Sequence, residues 1–390
     1  MEIKKILLTM IIFSNVAFAK EGIELNNGKT NLIKNPTMLS RAVGQMMMVG
    51  FNGVQVDENS AIIKEIKQYH IGGIILDQHR QPNSKKYTTN IENPTQLKNL
   101  IKKLQFYAKK YDDYPLFIAV NQEGGMINTL KVSQGFNNAN DPSQFELGKT
   151  RNQQIIFNAA FKRGMLLKSM GVNLNLAPVA DLNINPNNPA VGKLQRSFGN
   201  NPQYVIQDLK STIKAYNKAS IFCTLKHFPG LGSASKNTDY DNADLSQTWN
   251  KTELMPYKEL IQSKTNCPFI MVAHLVNKHL DKNGMPASLS KNVITDLLIK
   301  KLHYTGLIIT DDMDAASIRN NFSTQYAIKK AVLAGNDVII YGGTQGYDPD
   351  KDTQLLFNTL MMLADKNPEI YGRVLKSYEK IIKLKQSLKN

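Results

Sequence analysis

The sequence lacks the motifs that mark metal, dinucleotide and acyl-transfer sites. It has no HExxH motif and no cluster of Cys and His, and its six His are scattered. No apolar run leads into a Gly-rich dinucleotide turn or a Walker-type phosphate loop, and no Ser lies in a nucleophile elbow. We therefore expect no metal and no cofactor, and ordinary side chains should carry any chemistry.

Cysteine is scarce, because Cys223 and Cys267 are the only two in the chain. Each stands at the start of an apolar run, and neither lies in a pattern that marks a catalytic nucleophile. In an exported protein they can form a disulfide, but two buried thiols fit the sequence as well.

Long apolar runs are absent after the first twenty residues, "MEIKKILLTMIIFSNVAFAK". This segment has two early Lys, an apolar stretch over 6–13 and small residues around position 18, which predicts a signal peptide over 1–19, cut before Lys20. A retained membrane anchor is the alternative, but it needs about 18 consecutive apolar residues. We expect a periplasmic or secreted chain without stable membrane insertion, with an extension over 20–35 before the main domain.

Acidic residues are outnumbered, with 32 Asp and Glu against 48 Lys and Arg, a formal charge of +16. Removing 1–19 takes away two Lys and one Glu, which leaves 46 − 31 = +15. Such a chain is attracted to anionic polymers, for example in a cell wall, although a solvated Lys-rich surface explains the charge too. Nucleic acid is not expected as a partner, because the Lys residues form no stripe with interleaved aromatics.

Short apolar runs alternate with amphipathic helical patterns along the chain. The runs predict strands over 46–51, 72–77, 115–121, 172–178, 221–228, 268–274, 306–311 and 337–343. Eight strand and helix repeats predict an α/β fold, a (β/α)₈ TIM-like barrel forming one catalytic domain over 36–390. A doubly wound open sheet is the alternative, weakened by the missing nucleotide motifs.

Polar residues close five of these strands, where barrel enzymes carry their chemistry. They are Asn121-Gln122-Glu123, Asp181, Lys226-His227, His274 and Asp311-Asp312. Charges buried in a barrel are costly unless paired, so the set indicates a polar pocket. A helix cap could explain Asp181 or Asp312 singly. Lys226 could instead be the buried ion-pair partner of a carboxylate, and His227 a hydrogen-bonded histidine at the barrel mouth. With Arg196, the set suits a hydroxyl-rich ligand such as a sugar, and Asp311 is placed as a carboxylate nucleophile for glycoside cleavage.

Six motifs carry a resemblance to a known family: "KHFPG", "RSFGNNP", "QEGG", "NLNLAPVADLN", "MVAHL" and "IITDDM". Together they resemble glycoside hydrolase family 3 over residues 40–345, and the single-barrel length resembles its bacterial β-N-acetylglucosaminidases. The resemblance implies that Asp311 is the nucleophile. It also implies a set of residues that bind the sugar to be cleaved: Asn121, Glu123, Arg196, Lys226 and His227, with Asp181 and His274 at nearby pocket positions.

One departure concerns the catalytic acid. The loop after the Lys-His strand usually ends Asp-Ser-His in these glucosaminidases, but here the aligned triplet is Asn237-Thr238-Asp239. Asp239 can replace His as the general acid, if burial and nearby Asp241 raise its pKa. Alternatively the loop is degenerate and the protein binds glycans without turnover, or another group or an incoming anion replaces the acid step. Glycines in the loop predict motion.

Two further departures bear on the sugar. Asn121 stands where the family usually has Asp, and Met126 where it usually has Arg. An amide both donates and accepts hydrogen bonds, so selectivity can differ. The resulting hypothesis is a retaining exo-glycosidase that removes β-linked N-acetylglucosamine-type residues from peptidoglycan or chitin fragments through a glycosyl-Asp311 intermediate. A glycan-binding protein on the same barrel is the alternative.

Overall fold

Eight parallel strands close into a barrel in a computed structural model of the chain, and each strand is followed by a helix. The structure describes residues 23–26, 29–32, 35–76, 90–112, 114–138, 141–263, 265–342 and 349–388. Neighbouring strands in the barrel are consecutive in the sequence, and the last pairs with the first. The predicted (β/α)₈ barrel is confirmed, and the open sheet is wrong.

Each strand overlaps its predicted run, although the fourth covers only two of the seven predicted residues. The strands are β1 Met47–Val49, β2 Gly73–Ile75, β3 Phe117–Val120, β4 Leu174–Asn175, β5 Phe222–Phe228, β6 Phe269–Val272, β7 Leu307–Asp312 and β8 Val338–Tyr341. The helices that follow them are α1 Ala61–Tyr69, α2 Pro94–Tyr111, α3 Gln153–Met170, α4 Pro202–Lys218, α5 Met255–Gln262, α6 Asn292–Lys301, α7 Thr324–Ala334 and α8 Pro349–Lys366. Helices Pro36–Gln45 and Pro368–Gln386 lie before β1 and after α8.

The strands read as apolar runs because helices cover the barrel outside and side chains fill it inside. Ile308 and Ile309 of β7 and Ile339 of β8, for example, are completely buried. The helix starts are set locally: Asn93 and Asn201 cap α2 and α4 with their side chains, each followed by Pro at the first helical position.

Short elements inserted after the strands shape the carboxyl end of the barrel. After β3 a hairpin pairs Gln122–Gly124 with Ile127–Asn128, and a short helix, Gln144–Thr150, follows it. After β7 a one-turn helix covers Ala316–Arg319.

The two cysteines form a disulfide that links β5 to the segment just before β6. Cys223 and Cys267 are bonded, with Cα atoms 5.0 Å apart. Of the two alternatives that the sequence left open, the structure has the disulfide.

The predicted signal peptide over 1–19 lies outside the described residues. Within the predicted extension, Ile23–Asn26 pairs antiparallel with Lys29–Leu32. These two strands belong to a compact unit separate from the barrel. Among the described helices, none has the length and apolar character that crossing a membrane requires.

Candidate active site

A cavity of about 460 Å³ opens at the carboxyl ends of the barrel strands. Seven predicted site residues line it: Asn121, Glu123, Arg196, Lys226, His227, Asp239 and Asp311. They come from β5, β7 and the connections that follow β3, β4 and β5, so closure of the barrel brings together residues far apart in the sequence.

Glu123 is the centre of the charged floor of this cavity. Its carboxylate accepts hydrogen bonds from Arg196 Nε at 2.7 Å and Arg196 Nη2 at 2.8 Å, and from Lys226 Nζ at 2.8 Å. Burial alone would raise the pKa of Glu123, but the charges of Arg196 and Lys226 outweigh it and hold the pKa far below its usual range. Hydrogen bonds from two basic side chains therefore hold the Glu123 carboxylate in place in its ionised form.

Lys226 joins Asn121 to the same cluster. Its ammonium group donates to Asn121 Oδ1 at 2.8 Å as well as to Glu123. Burial and the neighbouring Arg196 charge lower the pKa of Lys226, against the opposing effect of Glu123. The structural interpretation of Lys226, an ion pair, is correct, and the same group still faces the cavity.

His227 is oriented from behind by Asp181. His227 Nδ1 lies 2.6 Å from Asp181 Oδ2, while Asp181 Oδ1 accepts from the backbone amides of His227 at 3.2 Å and Leu231 at 2.8 Å. Asp181 does not line the cavity. It fixes the ring so that Nε2 faces the site, 3.3 Å from Arg196 Nη2.

His274 also lies behind the cavity wall. Its Nδ1 is 2.7 Å from Ser288 Oγ and its Nε2 is 2.8 Å from the carbonyl oxygen of Asp312, so both ring nitrogens are engaged. Burial lowers the pKa of His274. Its position supports the turn after Asp311 and leaves no ring nitrogen for a ligand.

Asp311 lies at the carboxyl end of β7, next to its last residue, and lines the cavity. One oxygen accepts from the Asp312 amide at 2.9 Å. Burial would raise the pKa of Asp311, but His274, His227, the Asp312 amide and Lys226 together lower it. These neighbours favour the ionised form of the Asp311 carboxyl group.

Asp239 lies in the loop after β5, with its side chain in the same cavity. The Asp239 amide donates to Asn237 Oδ1 at 3.0 Å. Burial raises the pKa of Asp239, and the negative charge of Asp311 raises it further. The prediction that Asp241 supplies the like charge is wrong, because Asp241 is exposed and pairs with Lys236 at 2.7 Å.

Backbone hydrogen bonds hold this loop against the segment after β7. Ala316 N donates to the Asp239 carbonyl oxygen at 3.0 Å, and Ser317 N donates to that of Thr238 at 3.3 Å. The loop glycines serve close packing in this conformation: a Cβ on Gly232 would lie 1.8 Å from the Leu182 carbonyl oxygen.

Glu253 is a buried acid that the sequence does not reveal. It lies in a helical turn, Lys251–Leu254, beneath the base of the loop, where Glu253 Oε2 accepts from the Ser233 amide at 3.2 Å. Burial raises the pKa of Glu253 to about 7. Only the tertiary packing under the loop makes this glutamate unusual.

Tyr240, to which sequence reasoning gave no role, lines the cavity, and so does Met126, the departure already linked to sugar selectivity. Tyr240 directly follows Asp239, and Met126 lies in the hairpin after β3; both line the cavity and are largely exposed. The signal that the sequence offered for Tyr240 was its position directly after the candidate acid Asp239. Within the part of the chain that the structure describes, no group of three or more His, Cys, Asp or Glu is arranged to hold a metal ion.

Asp311 and Asp239 lie in one polar cavity at the carboxyl end of a (β/α)₈ barrel, and their environments move their two pKa values in opposite directions, an arrangement typical of glycosidases. The model of the glycosyl hydrolase family 3 N-terminal domain matches residues 38–369, and the chain belongs to this family. The predicted family and the predicted glycosidase class are confirmed.

Two curated relatives illustrate the similarity. A β-hexosaminidase A from Pseudoalteromonas piscicida is 31% identical over 301 residues, which are 70% of this chain and 46% of that protein. A protein described as an uncharacterized secreted glycosyl hydrolase from Arthroderma benhamiae is 30% identical over 322 residues, which are 79% of this chain and 84% of that protein. The chain thus spans less than half of the first relative and most of the second.

Solved structures show the same fold. A family 3 β-N-acetylglucosaminidase from Paenibacillus sp. superposes with a TM-score of 0.79 at 28% identity, covering 89% of this chain and 62% of that one. A β-N-acetylhexosaminidase from Beutenbergia cavernae superposes with a TM-score of 0.75 at 24% identity, covering 89% and 98%; at that identity it supports the fold alone.

Proposed function

We propose that the chain is a retaining exo-glycosidase that removes β-linked N-acetylglucosamine-type residues, with Asp311 as nucleophile and Asp239 as general acid and base. The observation that carries the proposal is the pair of carboxyl groups in one cavity, whose environments move their pKa values in opposite directions. Such a pair assigns the ionised partner to attack and the protonated partner to donation.

In the first step, an Asp311 oxygen attacks the anomeric carbon while Asp239 gives its proton to the departing glycosidic oxygen. The step forms a glycosyl ester on Asp311 and releases the rest of the chain as an alcohol. In the second step, the Asp239 carboxylate takes a proton from water, whose oxygen attacks the anomeric carbon and frees Asp311. Two displacements return the sugar with its original configuration.

The charged floor supplies the contacts for the sugar ring that is cleaved. Glu123, Lys226, Arg196 and His227 offer fixed donors and acceptors of the kind that hydroxyl groups need, and Asn121 adds an amide. The amino sugar is inferred from the names of the relatives, a β-hexosaminidase and a β-N-acetylglucosaminidase.

The polymer and the compartment are part of the same proposal. We propose export through the signal peptide over 1–19, in line with the relative described as secreted, and action on peptidoglycan or chitin fragments. The net positive charge favours an anionic wall polymer as a partner.

An aryl β-N-acetylglucosaminide tests the assignment, with Asp311→Asn compared with the matched variant Asp241→Asn. Asp241 is an exposed carboxylate of the same loop, so its variant should keep wild-type turnover, whereas Asp311→Asn should fall to background. NMR of the first product should show the β-anomer. Undiminished turnover by Asp311→Asn contradicts the proposal. Calorimetric sugar binding by a wild-type chain that releases no aryl alcohol supports the glycan-binding alternative.

A further inference from the structure

Two large apolar side chains are exposed at the mouth of the cavity. Tyr240 is 68% exposed and Met126 is 63% exposed, and both line the cavity that contains Asp311 and Asp239. They come from different elements, the loop after β5 and the hairpin after β3. Apolar and aromatic side chains beside a few polar groups are typical of the lining of a ligand pocket.

The position of Tyr240 in the chain indicates which part of a ligand it meets. A general acid must lie within hydrogen-bond reach of the oxygen that it protonates. That oxygen joins the sugar being cleaved to the leaving group, so the leaving group lies beside the loop that carries Asp239. Tyr240 is the next residue in this loop, and its side chain faces the same cavity.

The chemistry of the two regions of the cavity differs in a way that fits two sugar units. The floor, built from Glu123, Lys226 and Arg196, is charged and suits hydroxyl groups, and Glu123 and Lys226 are buried. Tyr240 and Met126 offer apolar surface at the rim. One face of a β-linked pyranose carries axial C–H bonds, which pack on an aromatic ring.

We propose that Tyr240, together with Met126, forms a leaving-group subsite that binds a pyranose unit with its C–H face on the Tyr240 ring. The inference rests on the proposed function and deepens it, because it makes oligosaccharides the preferred substrates over simple glycosides. Tyr240 is then a specificity-determining residue.

The experiment compares two substrates whose leaving groups need similar help from the acid. N,N′-diacetylchitobiose leaves a sugar ring, whereas the methoxyethyl β-N-acetylglucosaminide leaves a simple alcohol of comparable acidity. The readout is the ratio of kcat/KM for the disaccharide to kcat/KM for the methoxyethyl glycoside. Tyr240→Ala should lower this ratio about three- to tenfold, the size of a good aromatic packing contact. Tyr240→Phe, which keeps the ring, should preserve it.

Tyr204→Ala is the matched control, because Tyr204 is 51% exposed but does not line the cavity. Equal losses on both substrates in Tyr240→Ala would mean that Tyr240 acts only by positioning Asp239, and would overturn the subsite. An unchanged ratio would overturn it as well. No turnover of either substrate by the wild-type chain would overturn the proposed function, and the subsite with it.

Discussion

The backbone amide of Ala316 donates a 3.0 Å hydrogen bond to the carbonyl oxygen of Asp239. Ala316 lies five residues after Asp311 in the chain, so the segment that leaves the nucleophile strand also holds the loop of the proposed acid. The spacing of the two carboxyl groups therefore depends on one short stretch of backbone.

Removing this one hydrogen bond tests that dependence. Ala316 is the first residue of a short helix, where proline is tolerated, so Ala316→Pro deletes the donor with little cost to the helix. We expect lower kcat on the disaccharide and a smaller change on an activated aryl glycoside. Ala316→Gly keeps the amide and is the control. Identical kinetics for Ala316→Pro and wild type would contradict the positioning role.

Asp239→Asn should impair substrates with poor leaving groups far more than activated ones, because only the former need a proton from the acid. Burial and the Asp311 charge raise the pKa of Asp239, so the wild type should keep the acid protonated above the usual pH range of aspartate. The decline of kcat/KM with rising pH should disappear in Asp239→Asn. Equal losses on disaccharide and aryl substrates would exclude Asp239 as the acid.

Glu253 should make stability fall as pH rises toward neutrality. Its pKa is about 7 in the folded chain against an ordinary value of 4.5, so the folded chain keeps a proton that the unfolded chain loses. Stability should decrease between these pH values by about 3 kcal/mol at most. Urea unfolding of Glu253→Gln should lack this decrease, and the exposed Glu92→Gln should retain it. A matching slope in Glu253→Gln and wild type would refute the assignment.

Lys385 should have the opposite effect, raising stability as the pH rises above neutrality. It is buried, donates to Gln45 Oε1 at 2.6 Å and the Gly72 carbonyl at 2.7 Å, and burial lowers its pKa to about 7. The unfolded chain keeps this proton up to about pH 10. Stability should therefore rise from pH 7 to 10, by up to about 4 kcal/mol.

Lys385→Met removes the titrating group and should flatten that rise, whatever constant cost follows from the two lost hydrogen bonds. Lys383→Met, an exposed neighbour in the same helix turn, is the control and should keep it. Urea denaturation midpoints at several pH values measure the effect. A rise that persists undiminished in Lys385→Met would show that Lys385 stays protonated.

The barrel could be predicted because strands covered by helices must be apolar along their whole length. The strand ends also predicted which residues gather at the cavity. They did not predict that Asp181 and His274 lie behind its wall, since an end position does not fix the direction of a side chain. The burial of Glu253 and the position of Tyr240 in the cavity could not be predicted. Both depend on loop packing, which leaves no periodic pattern in the sequence.

The disulfide has a consequence for how the molecule is made. Cys223 and Cys267 are completely buried, so neither sulfur atom meets an oxidant or a reductant while the barrel is closed. The bond has to form on a chain that is still open, before the fifth and sixth strands are sealed under their helices. Once formed, it is shielded by the fold, and only unfolding returns it to the redox chemistry of its surroundings.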